Sequence, residues 1–140
     1  MNPIQGKKIL ITGGAGFVGS TTADQLLEAG AAEVRVLDNF IRGNLRNLEH
    51  AKEIGEVVVI DGDIRDQDTV DNAMCGVDYV IHQAALRITR CAEAPREAVE
   101  VLIDGASNVL ESAIRHKVKK IVAASSASVY GNPSYLPMDE

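Results

Sequence analysis

Thr12-Gly13-Gly14-Ala15-Gly16-Phe17-Val18-Gly19 is the stretch on which the reading of this sequence turns. It follows a short apolar run, Lys8-Ile9-Leu10-Ile11-Thr12, with the character of a buried strand. It opens a helical stretch from about Phe17 to Ala29, which Gly30 is placed to stop. Glycines 13, 16 and 19 therefore lie where a strand hands over to a helix. Gly13 permits the tight turn, Gly16 lets the backbone approach a diphosphate closely, and Gly19 lets the helix pack against the strand. The diphosphate would sit on the free N–H groups of the helix N-terminus. Glycines that only make a turn are the plainer reading, and the flanking strand and helix argue against it.

Outward from this motif, two hydrophobic periods alternate. Strands are expected at Glu33–Asp38, Val57–Ile60, Val77–His82 and Lys120–Ser125, and helices near Leu45 to Lys52 and at about Gln67 to Met74, the latter with Asp66 as N-cap. The longest helix is expected from about Arg96 to His116, with an apolar stripe of Val99, Leu102, Ile103, Ala106, Leu110, Ala113 and Ile114. Five near-continuous apolar strands alternating with four helices predict an α/β domain, a doubly wound parallel sheet covered on both faces. Residues 1–140 read as one dinucleotide-binding domain, and Gly131 to Glu140 as a loop with no covering helix after it. The expectation is an incomplete domain, the piece of a longer chain that lacks its catalytic and substrate-binding part.

Composition narrows the functional classes. The 140 residues are 46% hydrophobic and 24% charged, the balance of a folded domain. No stretch reaches the ~20 apolar residues of a membrane-spanning helix, and the N-terminus lacks a signal-peptide pattern. A net charge of −6 argues against non-specific nucleic-acid binding. Cys75 and Cys91 have no metal or disulfide spacing and read as reduced thiols of a cytoplasmic protein. No metal is expected.

Other candidate site residues cluster at the predicted strand ends. Asp38 follows Gly19 by 19 residues, where a carboxylate would accept hydrogen bonds from an adenosine ribose and repel a 2′-phosphate. NAD is therefore favoured, with Arg42 keeping NADP open; a solvated strand-end carboxylate is the alternative for Asp38. In Asp61-Gly62-Asp63-Ile64-Arg65-Asp66, Asp63 could accept from the adenine amino group while Ile64 packs on the ring, or the stretch could be a turn and an N-cap. After the fourth strand, small Ala84 and Ala85 would let a cofactor pass the backbone, and His82 reads as a satisfied strand-end histidine rather than a base. Ser125-Ser126-Ala127-Ser128-Val129-Tyr130-Gly131 could hydrogen-bond a substrate oxygen, and no G-x-S-x-G elbow surrounds these serines, which excludes a serine hydrolase.

Taken in order, these blocks resemble the extended short-chain dehydrogenase/reductase superfamily, and within it the NAD-dependent epimerase/dehydratase family. The resemblance implies a Rossmann-type fold, here its N-terminal five-strand portion. It implies a tightly held NAD that takes hydride from, and returns it to, a nucleotide-diphosphate sugar, a UDP-sugar in the 4-epimerases. By motif position, Gly13, Gly16, Phe17, Val18 and Gly19 match the diphosphate loop. Asp38 and Asn39 match the ribose contacts, and Asp63 and Ile64 the adenine contacts. Gln83, Ala84 and Ala85 match the wall beside the nicotinamide, and Arg87 stands where epimerases carry a lysine near the cofactor. Ser126 matches the catalytic serine, with Ser128 a second hydroxyl. The resemblance also implies a homodimer formed through the long helix.

Three departures qualify it. The family's Tyr-x-x-x-Lys lies beyond Ser126, and none of Tyr79, Tyr130 and Tyr135 has Lys four residues later, so hydride transfer is not expected from this chain alone. Leu102 stands where the family often places Asn near the cofactor, and Cys91 where many relatives have a small polar residue. The alternatives to an epimerase are a dehydratase or decarboxylase of the same family, or a non-catalytic NAD-binding module.

Overall fold

In the computed structural model, the described residues are 2–132 and 134–137. Met1, Pro133 and Met138, Asp139 and Glu140, the last four within the expected C-terminal loop, lie outside them. The sheet has five strands, β1 (Lys8–Thr12), β2 (Glu33–Asp38), β3 (Val57–Asp61), β4 (Tyr79–His82) and β5 (Lys120–Ala123). Their order is β3-β2-β1-β4-β5 and every pairing is parallel. The order reverses at β1, whose neighbours are β2 on one side and β4 on the other. The register sets Thr12 beside Leu37 and beside His82, so the loops leaving β1, β2 and β4 emerge side by side. A doubly wound sheet opens its binding crevice at this switch point.

The near-continuous apolar strands are explained by two cores, one on each face. Ile11, Val34 and Val36 pack with Ala23 and Leu27 of α1 (Phe17–Glu28) and Ala51 of α2 (Glu49–Ile54). Leu10, Leu37 and Val80 pack with Val70, Ala73 and Met74 of α3 (Gln67–Met74) and Val109 and Ala113 of α6 (Ala106–Arg115). Alternate side chains along β1 thus enter opposite cores, and both must be apolar.

Several sequence expectations are corrected. The helix near Leu45 begins as a 3₁₀ turn, Leu45–Leu48, capped by Asn44, before α2. β4 starts at Tyr79 rather than Val77, and β5 stops at Ala123 rather than Ser125. A short helix, α4 (Ile88–Glu93), precedes the long one; it buries none of its residues, which leaves no apolar period to reveal it. The sheet is not uniformly covered, since β5 carries exposed Val122 at its edge.

The long helix is helical as expected but not uniform. It runs as α5 (Pro95–Val99), a π-helical segment (Glu100–Gly105) and α6. Its packed face is Val101, Gly105, Val109, Ser112 and Ala113. Of the predicted stripe only Ala113 is buried, whereas Ile103, Leu110 and Ile114 are exposed. Gly105 is the reason, because an added Cβ would come within 2.7 Å of Ile64 Cγ1, so the helix meets the core through its smallest residue. Ser112 and Arg115 both hydrogen-bond Asp71 of α3, which holds that orientation. Apolar residues fall on two faces of this helix, and the face that packs is the one carrying small Gly105 and Ala113 rather than Ile103, Leu110 and Ile114.

Candidate functional site

The N-terminus of α1 is left open. Its N-cap is Gly16, extended at φ −74° and ψ 174°, and no side chain caps it. No acidic residue stands in its first turn, and the hydroxyls of Ser20, Thr21 and Thr22 turn back onto the carbonyls of Phe17 and Val18. The first N–H groups therefore lack a side-chain acceptor, and the helix dipole adds partial positive charge there. Gly13 is in the left-handed region (φ +72°), and an added Cβ would meet the Ala84 backbone at 2.9 Å. At Gly19 an added Cβ would lie 2.5 Å from the Gly13 carbonyl oxygen. Both glycines are required sterically, whereas a Cβ on Gly16 meets only the Gly13 oxygen, at 3.3 Å. That leaves open ground in front of Gly16, as a cradle for an approaching group would need.

Asp38 braces this loop. Its Oδ2 accepts from the Ala15 N–H at 3.0 Å and its Oδ1 from the Phe40 N–H at 2.9 Å. The side chain is buried, at 9% exposure, which overturns the solvated-carboxylate reading. The Ala15 carbonyl accepts in turn from the Asn44 N–H at 3.1 Å and from Asn47 Nδ2 at 2.8 Å. Gly43 closes over the same carboxylate, since a Cβ there would stand 2.7 Å from Asp38 Oδ1.

A second anchor lies under the sheet end. Thr12 Oγ1 is 2.7 Å from His82 Nδ1 and accepts from the Gln83 and Ala84 N–H groups, each at 3.3 Å. With its lone pairs engaged, the hydroxyl donates to Nδ1, which leaves the proton of the neutral ring on Nε2. Burial pushes the His82 imidazole below its ordinary range, in keeping with a structural histidine. The Gln83 side-chain oxygen is itself buried and has no hydrogen-bond partner among the described residues.

Asp63 is held by four donors. Its Oδ1 accepts from the Arg65 N–H and Nε, both at 2.9 Å, and its Oδ2 from Arg65 Nη2 at 2.8 Å and Asn39 Nδ2 at 2.9 Å. The Arg65 guanidinium above all brings its pKa down to about 2. Ile64 differs from the expectation. Its side chain is buried at 5% exposure among Leu10, Leu37 and Val101, under Gly105, so the core and not a ring is its packing partner.

The glycine loop, Asp38, Asp63 and Gln83 border one cleft of about 870 Å3, within the range of about 300–1,000 Å3 for ligand pockets. From the β1 loop it is lined by Gly13, Gly16, Phe17, Val18 and Gly19, and from the β2 end by Asp38 and Asn39. From the β3 end come Asp63 and Ile64, and from the β4 end Gln83, Ala84, Ala85 and Arg87. The structure thus brings together every expected cofactor-site residue. Ser126 and Ser128 are not among the lining residues. They are exposed on the 3₁₀ turn after β5, where Ser126 Oγ accepts from the Ser128 N–H at 3.2 Å. Leu102 also lies off the lining, and the helix contributes Val101 and Glu97 instead.

Sequence reasoning missed Gly43, Asn47, Arg65 and Arg90 on the lining. Of these only Arg65 carried a sequence signal, its place two residues after Asp63. Among the described residues there is no group of His, Cys, Asp and Glu fit to hold a metal ion, and no helix long and apolar enough to cross a membrane.

Comparison with known proteins follows the same outline. Residues 10–137 match the 3-beta hydroxysteroid dehydrogenase/isomerase family. A putative UDP-glucose 4-epimerase of Methanocaldococcus jannaschii is 40% identical over 135 residues, which is 94% of this chain and 42% of that protein. The UDP-glucose 4-epimerase of Bifidobacterium longum, solved in complex with NAD+ and UDP, is 35% identical with a TM-score of 0.85, covering 95% of this chain and 41% of that one. The dTDP-glucose 4,6-dehydratase of Streptomyces venezuelae, solved with NAD, is 32% identical with a TM-score of 0.85, covering 91% and 42%. The chain spans about 42% of the curated relative's length.

Proposed function

The chain belongs to the 3-beta hydroxysteroid dehydrogenase/isomerase family, and on that premise we propose that it is the NAD-binding part of a nucleotide-sugar epimerase of the UDP-sugar 4-epimerase type. One observation carries the reading: the uncapped α1 N-terminus and the buried Asp38 carboxylate face one cleft and are joined through the Ala15 N–H. A diphosphate needs N–H donors, an adenosine ribose needs an acceptor, and this cleft offers both in one rigid piece.

The residues fit a dinucleotide. The open N–H groups behind Gly16 would hold the diphosphate, and the remaining lone pairs of Asp38 the ribose hydroxyls. Asp63 and the backbone of Ile64 would border the adenine. Gln83, whose buried side-chain oxygen lacks a donor among the described residues, would stand with Ala84 and Ala85 along the nicotinamide half. Bound there, NAD supplies reversible acceptance of hydride from a sugar carbon. Asp38 would exclude a 2′-phosphate by charge.

We propose Ser126 as the hydroxyl that donates a hydrogen bond to the reacting sugar oxygen. No Tyr-x-x-x-Lys occurs in the 140 residues, so proton removal from that oxygen is assigned to residues outside this sequence, and the chain alone is expected to be inactive. The exposed apolar face of the long helix, with Ile103, Leu110 and Ile114, supports pairing with a second copy.

Titration calorimetry with NAD and NADP tests the cofactor claim, NAD binding more tightly; equal affinities would remove Asp38 as the selector. Incubating the whole enzyme, including the residues that would supply the base, with UDP-glucose and identifying the product by NMR tests the reaction. UDP-galactose supports the epimerase, whereas a 4-keto-6-deoxy sugar would make it a dehydratase.

A further inference from the structure

The turn after β3 carries Asp63 and Ile64, the residues that would border the adenine, and the long helix packs across its back. Three residues of that helix hold it. Glu100 lies 3.6 Å from the Arg65 guanidinium. Gly105 admits the buried Ile64 side chain, which an added Cβ would crowd at 2.7 Å. Asn108 alone of the three bonds the main chain: its Nδ2 donates to the Ile64 carbonyl at 3.0 Å and to the Arg65 carbonyl at 3.1 Å. The Ile64 carbonyl and the Arg65 N–H belong to one peptide group. That N–H donates to Asp63 Oδ1 at 2.9 Å. A peptide group is planar and stiff, so a hold on its carbonyl is also a hold on the N–H that aims the carboxylate. Asn is a poor helix former, and in α6 its amide serves a turn far away in sequence.

We propose that Asn108 is a positioning residue for base recognition: by pinning the Ile64–Arg65 peptide, its side-chain amide fixes the Asp63 carboxylate where a base amino group can donate to it. The inference rests on the NAD-binding reading above, with the adenine at Asp63. Asn108 is not among the residues lining the cleft, so it acts through the turn and not by touching the base. Three of the four donors on Asp63 come from Arg65, one of them the N–H that Asn108 steadies. The fourth, Asn39 Nδ2, is a neutral amide at 2.9 Å, and it is the donor an incoming amino group replaces. The base then meets an acceptor held from behind. A base with an oxo group in place of the amino group meets repulsion there instead.

Calorimetry with NAD and with deamino-NAD, in which an oxo group replaces the adenine amino group, tests this on the wild-type chain, Asn108→Ala, Asn108→Gln and Ser112→Ala. Wild type should prefer NAD on the order of tenfold. Asn108→Ala should cut that preference at least about threefold, and Asn108→Gln, which keeps an amide donor, should lose less. Ser112→Ala removes a bond from the same helix to Asp71, and should lower the melting temperature with the preference unchanged. In the cofactor-free chain, NMR titration of the Asp63 carboxyl should show its pKa rising from about 2 in Asn108→Ala. An unchanged preference or an unchanged Asp63 titration in Asn108→Ala would overturn the proposal. So would an equal fall in preference in Ser112→Ala, which would reduce Asn108 to a general tie between helix and turn. A wild-type chain that binds both dinucleotides equally would sink the adenine assignment of Asp63, and this proposal with it. One that binds neither would sink the NAD-binding reading itself.

Discussion

Two helix N-termini point out of the same edge of the sheet and are finished in opposite ways. At α3, Asp66 caps the helix with its own carboxylate, taking the N–H groups of Asp68 at 3.0 Å and Thr69 at 3.3 Å. At α1, Gly16 has no side chain to offer and no acid follows in the first turn. Both helices carry the same orphan donors and the same dipole. One satisfies them from its own sequence, and the other holds them open toward a cleft. The contrast separates a helix start that serves stability from one that serves a ligand.

Closing the open terminus should break the contrast most severely. In Gly16→Asp the new carboxylate would cap α1 as Asp66 caps α3, and the backbone at φ −74° and ψ 174° accepts any L-residue. NAD affinity should fall on the order of a hundredfold or more, through blocked donors and charge repulsion, with the melting temperature held or raised. Retained NAD affinity in calorimetry would refute the assignment of this terminus.

Asp38→Ala should damage both properties. It leaves the Ala15 and Phe40 N–H groups without their acceptor, at a cost of about 1–3 kcal/mol in urea unfolding. It should also narrow the preference for NAD over NADP. Opening α3 by Asp66→Ala should cost about 1 kcal/mol of stability and leave NAD binding untouched. A binding loss there would erase the distinction between the two termini.

The smallest effect concerns acid. Asp63 has a native pKa of about 2, below its ordinary 3.8, so its stabilising contribution is full above about pH 4 and is lost as pH falls through about 2. Arg65→Ala removes the main cause. The melting difference between wild type and this variant, equivalent to about 0.2–1 kcal/mol for so exposed a pair, should shrink as pH falls from 5 to 2. A difference independent of pH would show that Arg65 acts by packing alone.

Much of this could be read from the residues in order. The glycine spacing, the strand before it and the carboxylate at Asp38 obey local rules, because a tight turn, a close approach and a strand end each constrain one residue or its neighbours. Asp66 as the α3 cap was legible for the same reason. Ile64 was not. Its neighbours in sequence suggest a ring-packing residue, but Gly105, far along the chain, presses on it from the long helix and turns it into core. The serine block was legible as a motif, yet its hydroxyls sit on an exposed turn off the cleft lining.

The sequence by itself determined the order of strands and helices, the glycine loop and the acidic strand end, since these depend on short-range sterics and periodicity. Tertiary structure alone decided which face of the long helix is buried. It also decided which carboxylate each paired arginine meets. Those outcomes depend on what stands opposite each side chain, and residues far apart in sequence supply partners: Gly105 for Ile64, Asp71 for Arg115 and Asp63 for Asn39.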